Sequence, residues 1–230
     1  MARRGIPEDV AAINAEIRRF FDQEVSPAKR LRNWFGVYAF YDYDTEPIYV
    51  GQTEEGLGAR IRRHMTNQRT DAVAMNVLDP FEVAYIEVWP LAYPPIPKKD
   101  KAAFESHLSQ CEYTVFQKVL SESRLGAVLN EKDIPGAQLV ALPASYRRCI
   151  IPESIQQARS HPDIRIARRA LTIARLAQVI SERDVSTGLR RTLLTQARRL
   201  ERLASSRLAE FGDTVPVEEF GEETGETSPE

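Results

Sequence analysis

The stretch 36–64, GVYAFYDYDTEPIYVGQTEEGLGARIRRH, leaves little freedom in how it can fold. Two short aromatic and β-branched runs flank a turn-rich loop at 42–47, and a basic helical segment follows. That order reads as strand, turn, strand, helix. An antiparallel hairpin centred between Tyr43 and Asp44 sets residue 38 opposite residue 49, which puts Tyr38 and Tyr49 on one face. Over 56–67, Leu57, Ile61 and Met65 recur at intervals of four, so Arg60 and His64 are neighbours one turn apart on the edge of that stripe. Two phenols, a guanidinium and an imidazole then converge from a sheet and a helix, a set suited to an anionic substrate.

The elements around this stretch follow from periodicity. Over 7–23, Val10, Ile13, Ile17, Phe20 and Phe21 repeat with a helical period after a proline. A basic loop holding Lys29, Arg30 and Arg32 comes next, and it reads either as a contact for a nucleic-acid backbone or as a solvated segment. Alternation over 81–89 predicts a third strand, ended by the Pro-rich connection 90–97. Helical spacing returns over 98–123 through Phe104, Leu108, Cys111, Val115, Phe116 and Val119. Glu112 falls inside that apolar arc, where an unpaired carboxylate is costly, so a metal or a cationic partner is implied. Glu105 lies two turns earlier on nearly the same face and is the second choice, whereas Glu122 faces elsewhere. Asn130, taken by itself, is a turn residue.

The triplets Gly36-Val37-Tyr38 and Tyr49-Val50-Gly51 resemble the two name-giving triplets of the GIY-YIG nuclease family, with Val in place of Ile in both. The resemblance covers about residues 34–135. It implies an α+β fold, a small three-stranded sheet flanked by helices, and a metal-dependent phosphodiesterase. It also implies an Arg and then a Tyr or His one turn later, matched by Arg60 and His64, a helical Glu matched by Glu112, and a terminal Asn matched by Asn130. By resemblance, Tyr38 activates or orients the water, Tyr49 positions water or phosphate, and Glu112 binds Mg²⁺ or Mn²⁺. A hard ion of this kind tolerates one carboxylate and several waters. His64 competes with Tyr38 as the base, because its ordinary pKa near 6.5 suits proton transfer at neutral pH. The substrate implied is DNA. A non-cutting nucleic-acid-binding or adaptor protein that keeps the fold is the alternative.

Charge and length divide the rest. The 230 residues allow one domain of about 100 to 150 residues plus an attachment: an N-terminal helix and basic linker at 1–33, the nuclease-like domain at 34–150, an Arg-rich helical region at 151–212, and an acidic tail at 213–230 that reads as disordered. The tail carries seven acids and no base, and without it 31 bases stand against 26 acids. No apolar run approaches the roughly 20 residues of a membrane span, and the two cysteines have neither metal nor redox spacing, which fits a cytoplasmic protein. Region 151–212 has 12 Arg, no Lys and six acids. Stripes through Ile166, Ala170, Ile173, Ala174, Ala177 and Ile180, and through Leu193, Leu194, Ala197, Leu200, Leu203, Ala204 and Leu208, predict an antiparallel helical hairpin. Arg without Lys favours phosphate or carboxylate clamps. The hairpin therefore reads either as an arm gripping nucleic acid through Arg198, Arg199 and Arg202, or as a homo-oligomer or protein-partner surface through 163–211.

Overall fold

In the computed structural model, which describes residues 7–65, 79–130 and 134–213, the chain opens with helix α1 (Glu8–Asp22). Pro7 caps α1, and Ile13, Ile17, Phe20 and Phe21 are its buried face. A small ribbon of β1 (Glu24–Ser26) and β2 (Lys29–Arg30) leads into the hairpin of β3 (Phe35–Tyr41) and β4 (Pro47–Thr53). Helix α2 (Leu57–Met65), strand β5 (Tyr85–Ala92), helix α3 (Lys101–Glu122) and strand β6 (Tyr146–Cys149) follow. Three helices close the described chain: α4 (Glu153–Ser160), α5 (Pro162–Glu182) and α6 (Thr187–Ala209). Among the described residues no helix is long and apolar enough to cross a membrane. The tail beyond residue 213, and residues 66–67 of the segment expected to continue α2, lie outside the described residues.

The main sheet has four antiparallel strands in the order β4-β3-β5-β6, one more than expected. β6 reads Tyr-Arg-Arg-Cys, too short and too polar to show an alternating pattern, and it is defined by pairing with Tyr85–Val88. Its Arg147 lies over the Tyr41 ring, 4.0 Å from the centroid, so a charged residue covers an aromatic face there. β5 starts later than expected and runs through Pro90, opposite Gly36. β6 stops at Val88, so beyond it β5 is an edge on that side and the missing N–H of a proline is tolerated. The hairpin register also differs, because Tyr38 faces Gly51 and Phe40 faces Tyr49, with an irregularity at Tyr41 and Pro47. The slip from the expected pairing is two residues. An even slip preserves side-chain parity, so Tyr38 and Tyr49 stay on the same face as diagonal neighbours.

Each face of the sheet is covered. Val37, Ala39, Tyr41, Val50 and Trp89 pack against Leu108, Cys111, Val115 and Val119 of α3. On the opposite face Tyr38, Phe40, Ile86 and Val88 meet α1 and Leu57 and Ile61 of α2. Leu176 of α5 and Leu189 of α6 join that second core. Each fully buried Leu, Ile or Phe contributes about 1.5–3 kcal/mol, which makes these layers the main cohesive term.

The C-terminal helices bury only part of the expected stripes, with Leu203 buried and Ile180 and Leu193 packed against the core, and bury a polar face beside it. On α5 the buried residues are Arg165, Arg169, Thr172 and Leu176, and on α6 they include Thr192, Thr195, Gln196, Arg199 and Leu203. Ala170 and Leu194, expected inside, are exposed. The cause is a buried cluster of ions. Oδ2 of Asp42 takes Arg199 at 2.7 Å and Arg169 at 3.0 Å, with Arg165 at 3.5 Å. Glu82 takes Nε of Arg169 at 2.8 Å, and Asp44 takes Arg165 at 2.7 Å. Oδ1 of Asp42 accepts the backbone N–H groups of Asp44 and Glu46, so the same carboxylate shapes the β3–β4 loop. The clamps that Arg-rich, Lys-free helices favour are here carboxylate clamps, and Arg199, at 3 % exposure, cannot grip a nucleic acid.

Candidate active site

Strand β3 carries Tyr38 to the second core, where it is fully buried, and α2 brings two side chains to its hydroxyl. His64 Nε2 lies 2.8 Å from Tyr38 Oη, and Nε of Arg60 donates to the same oxygen at 3.3 Å. These contacts come from α2 spacing, since residues four apart share one side of the helix. Tyr49 closes the cluster, its ring 5.4 Å from His64 and 6.2 Å from Tyr38 between centroids, and Phe40 forms the inner wall. Gly51 makes room for the phenols. A Cβ there would lie 2.6 Å from Tyr38 Oη and 2.9 Å from the Tyr49 ring, so any larger residue displaces one of them.

The outer edge of β4 builds the other half of the site. β4 is an edge strand, so its outward backbone groups need partners. Leu129 N–H donates to Ile48 O at 2.7 Å, and Asn130 accepts from Val50 N–H at 3.2 Å and donates to Val50 O at 2.8 Å. The next outward group, the N–H of Gln52, donates to the carboxylate of Glu112 on α3. Glu112 thus reaches past the sheet edge toward Arg60, which lies close enough to act on its charge. Burial pushes the Glu112 carboxyl up to about 7, against the opposing pull of Arg60 and the Gln52 N–H. Burial also opposes the charge on Arg60, but Tyr38, Tyr49 and Glu112 together outweigh it and hold the guanidinium above its usual range.

Tyr38, Tyr49, Arg60 and His64 are therefore brought to one place, with Glu112 near enough to act on the charge of Arg60, while Asn130 is held against the backbone of the second triplet. Glu105 is exposed and paired with Lys101 at 3.4 Å, and Glu122 pairs with Lys118, so both carboxylates are engaged away from the cluster. In the basic loop, Arg32 pairs with Asp22 at 2.8 Å and Lys29 lies over the Tyr93 ring. Sequence reasoning missed the Gln52 N–H and the wall formed by Phe40. The first is a backbone group and the second reads as an ordinary core aromatic, so neither leaves a side-chain signal.

Among the described residues no group of three or more His, Cys, Asp or Glu could hold a metal. A hard divalent ion does not require one, since Mg²⁺ keeps several waters and binds through one or two carboxylates. Glu112 fits that demand. It is partly buried, its charge is disfavoured where it stands, and a cation beside it would reverse that penalty.

Residues 34–114 match the family model of the GIY-YIG catalytic domain. No curated protein and no solved structure matches the chain. The matched segment holds both triplets, Arg60, His64 and Glu112, and it ends before Asn130 and the C-terminal helices. Residues 34–114 are thus similar to the GIY-YIG catalytic domain of a nuclease-type family, as the two triplets led one to expect.

Proposed function

We propose that this protein is a divalent-metal-dependent endonuclease that hydrolyses DNA phosphodiester bonds through the cluster of Tyr38, Tyr49, Arg60, His64 and Glu112. The observation that carries the reading is the hydroxyl of Tyr38 held between His64 Nε2 and Arg60 Nε, with Glu112 acting on the same guanidinium. Arg60 donates into the Tyr38 oxygen, and the single phenolic proton then points at His64 Nε2 when the imidazole is neutral. Tyr38 takes a proton from the attacking water and passes its own to His64, so the two candidate bases work as one relay. Positive charge from Arg60 favours the phenolate form of Tyr38 while the proton moves. Among the described residues only Nε of Arg60 is engaged by a side chain, which leaves its terminal amino groups to clasp two phosphate oxygens. Tyr49 positions the phosphate against the phenol of Tyr38. Glu112 would hold Mg²⁺ or Mn²⁺, which when bound supplies a Lewis acid for the charge growing on the phosphate. Asn130 keeps β4, and with it Tyr49 and Gly51, in register. Two free thiols, Cys111 and Cys149, accord with a reducing cytoplasm.

The test is conversion of supercoiled plasmid to nicked or linear forms with Mg²⁺ or Mn²⁺. Wild-type protein is expected to cut, and Arg60→Ala and Glu112→Ala each to lose roughly 100- to 1,000-fold in rate, the size typical of removing one charge-stabilising group. Absence of any metal-dependent product from the wild type would refute the reading in favour of a non-cutting binder.

A further inference from the structure

A groove of about 360 Å³ runs between α3 and α6, floored by the segment that caps β4. One wall carries Phe116 and Leu120, one and two turns along α3 from Glu112, and Asn130 lies on the floor. The other wall is α6, with Leu194 at 52 % exposure and with Arg191 and Arg198. Among the described residues those two arginines are the only charged side chains lining the groove. One turn beyond Arg198 on α6, Arg202 lies past the end of the groove, on the wall of the neighbouring cavity over Asp42, and both Arg198 and Arg202 are exposed. Neither Arg198 nor Arg202 has a hydrogen bond or ion pair among the described residues.

This contrasts with the neighbouring cavity of about 290 Å³ over Asp42, where Arg165, Arg169 and Arg199 are already neutralised by Asp42, Asp44 and Glu82. Arg198 and Arg202, exposed and without an ion pair among the described residues, can take anions from solvent. An aromatic and two leucines beside them suit sugars and bases, so the surface matches a nucleic-acid strand with its phosphates along α6.

We propose that the α3–α6 groove is the track along which the DNA strand leaves the scissile phosphate, its phosphates held by Arg198 in the groove and by Arg202 one turn further along α6, just beyond it. This inference rests on the nuclease reading, because only Glu112 and Asn130 tie the groove to the site of cutting. It makes the C-terminal helices, which lie outside the matched domain, the part that lengthens the DNA footprint.

The experiment measures binding of a fluorescein-labelled DNA duplex by anisotropy in EDTA across a salt series, with plasmid nicking in Mg²⁺ run in parallel. Arg198→Gln with Arg202→Gln is expected to weaken binding about 10-fold or more and to lower the slope of log K against log salt by about 2, one for each lost phosphate contact. KM should rise with kcat unchanged. Arg175→Gln, an exposed arginine on α5 outside the groove, should leave both near wild type. Leu194→Asp should weaken binding as well. Unchanged affinity and slope in the double variant overturn the inference whether or not the wild type cuts, as does tighter binding of RNA than of DNA of the same sequence. Binding that depends on Arg198 and Arg202 without any nicking sinks the nuclease reading, and with it the link to a scissile phosphate, and leaves the groove as a DNA-binding surface only.

Discussion

Replacing Glu112 by Gln should abolish cutting and yet stabilise the metal-free protein, because the carboxylate sits where its charge is disfavoured. Burial raises its pKa from 4.5 to about 7. Between those values the folded chain holds a proton that the unfolded chain has released, so stability is fullest below pH 4.5 and falls as pH rises toward 7. A shift of this size corresponds to roughly 3 kcal/mol, less whatever residual solvent access recovers. At about 2–4 °C per kcal/mol for a chain of this length, the loss is roughly 5–10 °C in Tm. The amide introduced by Glu112→Gln keeps an oxygen for the Gln52 N–H but has nothing to titrate. Thermal unfolding in EDTA should therefore find wild type and Glu112→Gln nearly equal at about pH 5, and the variant more stable by several degrees at about pH 8. Adding Mg²⁺ at the higher pH should raise the wild type toward the variant and leave the variant unmoved. A Tm difference that is constant across this pH range would show that Glu112 is not penalised by burial, and a wild type indifferent to Mg²⁺ would show that it is not a metal ligand.

Asp42→Ala removes the carboxylate shared by Arg165, Arg169 and Arg199 and should cost about 3–5 kcal/mol in urea denaturation, as expected when buried charges lose their partner. Gly51→Ala drives a methyl against both phenols; it should cut plasmid nicking by roughly 100-fold while leaving the far-UV circular dichroism spectrum and DNA binding close to wild type, and full activity would mean that the packing of Tyr38 against Tyr49 is irrelevant to the chemistry.

Much of the half that holds the candidate site is local and is therefore written in the chain. The two triplets, the turn between them and the four-residue step from Arg60 to His64 follow from strand alternation and helical pitch. Even a two-residue error in hairpin register leaves Tyr38 and Tyr49 on one face, since only parity matters. The burial of Glu112 was likewise legible, because it falls inside an apolar helical arc. What pairing across the fold decides was hidden. β6 exists because β5 offers it an edge, and Asn130 is spent on the backbone of Val50 because β4 has an open edge to cap. The buried faces of α5 and α6 are the plainest case. Apolar periodicity points to one stripe, but guanidiniums that find Asp42 and Glu82 in the sheet domain turn the polar face inward. A hydrophobic pattern records what a helix buries against oil, and it is silent about what the same helix can bury against a carboxylate some 120 residues earlier in the chain.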